Sequence, residues 1–158
     1  MSNYIFKTSL FLLFFMATTS YADGYCNTRF DYCVNYPKTL IKQPESDNRS
    51  GTGFKLKGSS ASIMVYGGYN VGADDNLTAK PYLNMLQRQS HSNYQVTYEL
   101  LKDNDYTVSG YDKQGNIFYR HTKANDDRNT TVHFIYPKSD KSKMDGIIKQ
   151  MKSSLTLK

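Results

Sequence analysis

The stretch NDYTVSGYDKQGNIFYRHTK (104–123) gathers the side chains of this chain best suited by type to chemistry: a hydroxyl at Ser109, a guanidinium at Arg120 and an imidazole at His121. An imidazole can move a proton near neutral pH, and a hydroxyl within its reach can act as a nucleophile. His121, followed by the loop acids Asp126 and Asp127, is the acid–base candidate, and Ser109 or Asp127 would be its partner in a small periplasmic hydrolase. Against this, Ser109-Gly110 lacks the Gly-x-Ser-x-Gly frame that exposes a nucleophile on a strained turn. Recognition asks less of the same residues. Arginine and tyrosine are the types that most often dominate an interface, so Tyr111, Arg120 and His121 are assigned as contact residues and no residue is assigned as catalytic.

Metal chemistry finds no purchase in the pattern. His91, His121 and His133 are far apart in sequence, with neither His-x-His nor His-Glu-x-x-His spacing. The acidic pairs Asp74-Asp75 and Asp126-Asp127 lack the Asp-x-Asp-x-Asp-Gly run and distal Glu of a calcium loop, and are read as solvated turns. Cys26 and Cys33 are the two cysteines of the chain, and their spacing in CNTRFDYC fits neither a zinc site nor a Cys-x-x-Cys redox pair. They are expected to form one structural disulfide, and no cofactor or metal is expected.

The elements that must position these groups follow from periodicity. Asp112-Lys113-Gln114-Gly115 reads as a hairpin turn in which Gly115 takes positive φ, with Tyr106 and Val108 opposite Ile117 and Tyr119. A first strand is expected from the alternation of Phe30, Tyr32, Val34 and Tyr36, and the polar segment 42–53 is expected to be an exposed connection with no core role. Residues 53–67 read as a hairpin, 67–76 as a loop, and 79–90 as a helix with Pro81 in its first turn and Tyr82, Met85, Leu86 and Gln89 at helical spacing. Strands are expected around Tyr94–Leu100 and Val132–Tyr136. The C-terminal helix places Met144, Ile147, Ile148, Met151 and Leu155 on one apolar stripe.

Compartment is read from the first residues. Lys7, the apolar run Leu10–Ala17 and Ser20-Tyr21-Ala22 have the order of a secretory signal peptide, with cleavage expected between Ala22 and Asp23. The run is too short for a membrane span, and Tyr25 before Cys26 does not suit a lipid-acceptor cysteine, so no stable membrane anchor is expected. The mature chain, 23–158, has the length of one domain. The leader carries one lysine and no acid, so its removal takes the formal charge from +6 to +5. In the periplasm this favours an acidic protein, peptidoglycan carboxylates or envelope phosphates over nucleic acid as partner.

The strand ending in NYP, the segment ASIMVYG, a helix, then VTYELLKDNDYTVSGYDKQGNIFYR, a strand ending in FIYP and a terminal helix into SSL follow one another in an order that resembles the exported bacterial relatives of the PsbP and DcrB families. The resemblance spans nearly all of 29–157 and is most specific at Val96-Thr97-Tyr98, at Val108-Ser109-Gly110 with Ile117-Phe118-Tyr119, and at the helix before Ser154-Leu155. It implies an α+β fold, an antiparallel β-sheet flanked by helices in an α/β/α sandwich, and accessory or binding roles without a shared catalytic motif. DcrB relatives are lipid-anchored, and this chain lacks their acceptor cysteine. The expected function is non-catalytic binding of a protein partner in the periplasm, as an inhibitor or immunity factor against an envelope-acting toxin. The alternatives are an envelope accessory protein holding an assembly or a lipid-derived ligand, and the hydrolase above. Oligomeric state is not set by the sequence.

Overall fold

The computed structural model describes residues 22–72 and 75–158, which lay down two antiparallel sheets and two α-helices. The leader expected over 1–22 lies outside the described residues apart from Ala22, as does Asp74. The small sheet joins β1 (Ala22–Asn27), β2 (Tyr32–Pro37) and β10 (Thr156–Leu157), with β2 in the middle. Alternation works as expected along β2, where Tyr32, Val34 and Tyr36 are buried. Phe30 is buried too, but in the turn before the strand. Cys26 and Cys33 oppose one another across β1 and β2 and form the disulfide.

The large sheet is built from β3 (Leu40–Glu45), β4 (Gly51–Leu56), β5 (Ser62–Tyr69), β6 (Gln95–Lys102), β7 (Asp105–Tyr111), β8 (Ile117–Ala124) and β9 (Arg128–Tyr136). Its order is β3-β4-β5-β9-β8-β7-β6, with every pair antiparallel. Helix α1 (Ala79–Asn93) lies between β5 and β6 in sequence, and α2 (Lys141–Ser154) follows β9. This is the α+β sandwich expected, with helices on both faces of an antiparallel sheet.

The two faces are covered at different ends. On one, Leu83 of α1 packs with Tyr106, Val108, Phe118 and Ala124, over β7 and β8. On the other, Met144, Ile147, Ile148 and Met151 of α2 join Tyr32, Val34 and Tyr36 of the small sheet over Phe54, Ile63, Val65, Val132 and Phe134. The stripe expected on α2 is therefore the one it buries, with Leu155 buried just past its end. In α1 Leu83 and Ser90 are fully buried and Ala79 nearly so, while Gln89 is exposed and Met85 half-buried. Among the described residues, the half of the α2-side face formed by β6, β7 and part of β8 has no helix or strand over it.

Three expectations need correction. Residues 42–53 are not an unstructured connection: β3 and β4 occupy most of them, and Thr52 is buried with its hydroxyl donated to the Gln43 carbonyl at 2.7 Å. An edge strand that buries mainly Leu40 shows no alternation to read. The 67–76 loop is shorter than expected, because β5 runs to Tyr69 and Asn70 is buried, donating to the Asn125 carbonyl. The hairpin register also differs. Its turn takes Asp112–Asn116, with Asp112 Oδ1 accepting from the amides of Gln114 and Asn116, and Gly115 at φ +80°. Tyr111 then faces Ile117, so Tyr106 opposes Thr122 and Val108 opposes Arg120. Shifting the pairing by one residue moves side chains to the other face.

Candidate functional site

Alternation along β7 and β8 decides which of the sequence-assigned residues can meet. The opposed pairs Thr107–His121, Ser109–Tyr119 and Tyr111–Ile117 share the α2-side face. Arg120, between His121 and Tyr119, points the other way and pairs across with Val108 and His133. Tyr111 and His121 therefore belong to one surface and Arg120 to another.

The α2-side surface is a groove. Its floor is Ser109, Tyr111, Ile117 and Tyr119, and its wall is the side of α2 carrying Lys141, Asp145, Ile148, Lys149 and Lys152, enclosing about 450 Å³. A second hollow of about 340 Å³ continues past Lys152 to Thr107, His121, Leu100 and Lys102. Beyond the floor, β6 presents Tyr98 and Leu100, which are 51% and 47% exposed. Gly110 lets β6 come this close: a Cβ there would sit 1.9 Å from the Gln95 carbonyl oxygen, at the register break between Val96 and Tyr98. A bulge at this place turns Tyr98 toward the open face.

Charge on the walls is uneven. Lys141 is held by Asp145 at 2.7 Å, one helical turn away, and Lys123 by Asp105 at 2.8 Å. Lys138 lies over the Tyr111 ring, 4.7 Å from its centroid. Among the described residues, Lys102, Lys149 and Lys152 form no ion pair. The groove thus offers two or three uncommitted ammonium groups beside aromatic surface. Burial pushes the Tyr119 and Tyr136 hydroxyls up to about 12, so both are hydrogen-bond donors and not phenolates at neutral pH.

The same geometry argues against acid–base work. His121 is 3% exposed, and burial, opposed by Asp105 and assisted by Lys152 and Lys123, holds its pKa down to about 4. Its Nδ1 hydrogen-bonds the Thr107 hydroxyl at 2.8 Å, and its Nε2 lies 3.8 Å from Asp105 Oδ2. This has the order of an acid, an imidazole and a hydroxyl, but Thr107 is as buried as the histidine. A base of such low pKa is weak at neutral pH. Ser109 makes no bond to His121, and Asp127 is engaged by Arg128 at 3.2 Å. Among the described residues no group of three or more His, Cys, Asp or Glu side chains could hold a metal ion.

Arg120 lies beneath α1, where it donates to the Ser90 hydroxyl and to the Leu86 carbonyl. Among the described residues, its Nε is buried without a partner, as is Nε2 of the neighbouring His133. Burial, with the Arg120 cation adding to it, holds His133 down to about 4. The residues that sequence reasoning missed are Tyr98, Leu100, Lys149 and Lys152. The lysines carried a signal: they adjoin Ile148 on the helical wheel, at the border of the buried stripe.

No family model matches this sequence, and no curated protein matches it. Among solved structures, the fold is similar to the solution structure of cyanobacterial PsbP (CyanoP) from Synechocystis sp. PCC 6803. That alignment has a TM-score of 0.57 and 13% sequence identity, and covers 90% of this chain and 96% of the other. At this identity the likeness is one of fold. Among the described residues, no helix is long and apolar enough to cross a membrane.

Proposed function

We propose that this PsbP-like fold serves as a non-catalytic binding module of the bacterial periplasm, an exported relative of the PsbP and DcrB families that grips a protein partner through the groove beside α2. The observation that carries this reading is the pairing of exposed apolar side chains, Tyr98 and Leu100, with the uncommitted ammonium groups of Lys149 and Lys152 on one uncovered half of the sheet. Aromatic anchors supply contact area at small entropic cost, and a ring of like charge selects an acidic counterpart. The partner is an acidic surface of an envelope-acting toxin, which the chain blocks as an inhibitor or immunity factor. His121 lies on the same face, at the base of the hollow beyond Lys152, and Tyr111 is the contact residue of the hairpin.

A second reading rests on the groove's shape. Ile117, Tyr119 and Ile148 beside the lysines would also suit a lipid-derived molecule with an acidic head, held by an envelope accessory protein. One experiment separates them. The mature chain and its Lys149→Glu/Lys152→Glu variant are immobilised and exposed to native periplasm, and both proteins and lipids are identified. A protein retained by the parent and weakened at least about tenfold in the variant, about 1.4 kcal/mol, is the expected result. Equal retention by both forms overturns the groove, and selective retention of lipid alone replaces the first reading with the second.

A further inference from the structure

Both ends of the large sheet are open edges among the described residues, but they differ in kind. At β3, Pro44 removes an amide donor and the register with β4 is broken between Lys42 and Glu45, two devices that discourage further pairing. At β6 there is no proline. The register break lies at its start, between Val96 and Tyr98, and from Tyr98 to Lys102 the ladder with β7 runs uninterrupted, Tyr98 opposite Ser109 through Lys102 opposite Asp105. Leu100 is the midpoint of that regular stretch. Its two exposed apolar side chains stand on one face, as strand alternation requires.

We propose that a second copy of this chain docks here, β6 against β6 in antiparallel register about a two-fold axis at Leu100. Such an axis, normal to the sheet, makes the contact self-complementary, and opposed side chains must share a face. Charge then selects the register. Centring on Glu99 would set it against the partner's Glu99, and centring on Leu101 would set Glu99 against the partner's Asp103; both juxtapose like charges. Centring on Tyr98 would draw the bulged Thr97 into the ladder. Centring on Leu100 uses the regular stretch from end to end: Leu100 meets the partner's Leu100, Glu99 meets the partner's Leu101, and Lys102 meets the partner's Tyr98. Lys102 has no ion pair of its own among the described residues, and an ammonium over a tyrosine ring is a favourable contact made twice by symmetry. The axis keeps both copies of α2 on one side of a continuous sheet, so the two lysine-walled grooves open in the same direction. The pairing runs along the backbone edge of β6, and Tyr98 and Leu100 are shared between this contact and the binding face proposed above.

The test compares the solution mass of the mature parent with that of Leu100→Asp, by light scattering on a sizing column at up to about 100 μM, a range that detects a micromolar dimer. The parent should have twice the chain mass and the variant the chain mass, with unchanged circular dichroism because Leu100 is exposed. A monomeric parent, or a Leu100→Asp variant that remains dimeric, overturns the proposal. Register is read from single cysteines. Directly opposed residues have Cα atoms about 4.5–5.5 Å apart, inside the range of about 4.4–6.8 Å that a disulfide spans. Leu100→Cys should therefore form a reducible covalent dimer on mild oxidation and Lys102→Cys should not; the reverse result overturns the two-fold at Leu100.

Discussion

Lowering the pH from about 7.5 to about 4.5 probes the two buried histidines directly. His121 and His133 both fall from the ordinary 6.5 to about 4 in the folded chain. Burial is the main cause in each. Charged groups around His121 are Asp105, which opposes the lowering, and Lys152 and Lys123, which add to it; at His133 the added cation is Arg120. A folded pKa below the unfolded one means that the unfolded chain takes up protons first as pH falls. Their contribution is thus fully present above about 6.5 and is lost progressively down to about 4. A tenfold drop in proton affinity is worth about 1.4 kcal/mol, so each histidine accounts for roughly 3 kcal/mol across the whole window. The steepest slope for the pair is about 2.4 kcal/mol per pH unit, midway through the window, where the unfolded imidazoles are nearly all charged and the folded ones nearly all neutral. Set against a typical domain stability of about 5–15 kcal/mol, this loss is large. Carboxylates with lowered pKa values, Glu99 and Asp112, titrate below 4.5 and 3.8 and so weigh on stability mainly beneath this window. Urea titration followed by circular dichroism at several pH values measures the slope, with His121→Gln and His133→Gln each expected to remove about half of it. A parent whose stability changes by less than about 1 kcal/mol between pH 7.5 and 4.5, or a double variant that keeps the full slope, would show that the buried imidazoles do not govern acid sensitivity.

Ile147→Ala or Ile148→Ala should cost about 2–4 kcal/mol, since both side chains are buried between α2 and the sheet; denaturant midpoints at unchanged slope check this. Reducing the Cys26–Cys33 bridge should lower stability by about 2–3 kcal/mol through the closed hairpin loop, and intact mass after alkylation without reductant should show no labelled cysteine. Arg120→Ala, placed beneath α1 and away from the groove, should cost about 1–2 kcal/mol by removing its hydrogen bonds to Ser90 and Leu86. It should also let the His133 resonance titrate at higher pH by removing the nearby cation. Tyr111→Ala, on the groove floor, should leave stability nearly unchanged and weaken the captured partner by about tenfold, or about 1.4 kcal/mol.

Elements with a full buried face were legible in the sequence. The α2 stripe from Met144 to Met151, the alternation of Tyr32, Val34 and Tyr36, and the turn at Gly115 each appear where their periodicity or conformational need placed them. β1 and β3 were hidden because each buries few side chains, which leaves no alternation to detect. The hairpin register was lost to one extra turn residue, Asn116, whose amide and side chain bind Asp112. The three assigned contact residues do not share one surface, for a related reason. Arg120 and His121 are neighbours in sequence, and a strand must send neighbours to opposite faces. What no local pattern could reveal is which half of a sheet face the helix leaves uncovered. That depends on where α2 and the small sheet dock together, and it is this docking that brings Lys149 and Lys152 of α2 beside Ser109, Tyr111 and Tyr119.

Backbone hydrogen exchange of the mature chain, free and saturated with the protein retained from periplasm, is the sharpest test of binding in the groove. A partner seated there should slow exchange at the β7–β8 turn around Asp112–Asn116 and in the last two turns of α2 around Lys149 and Lys152, with α1 and the β3–β4 hairpin unchanged. Protection confined to α1 or to β3–β4, with none at the β7–β8 turn and α2, would contradict it.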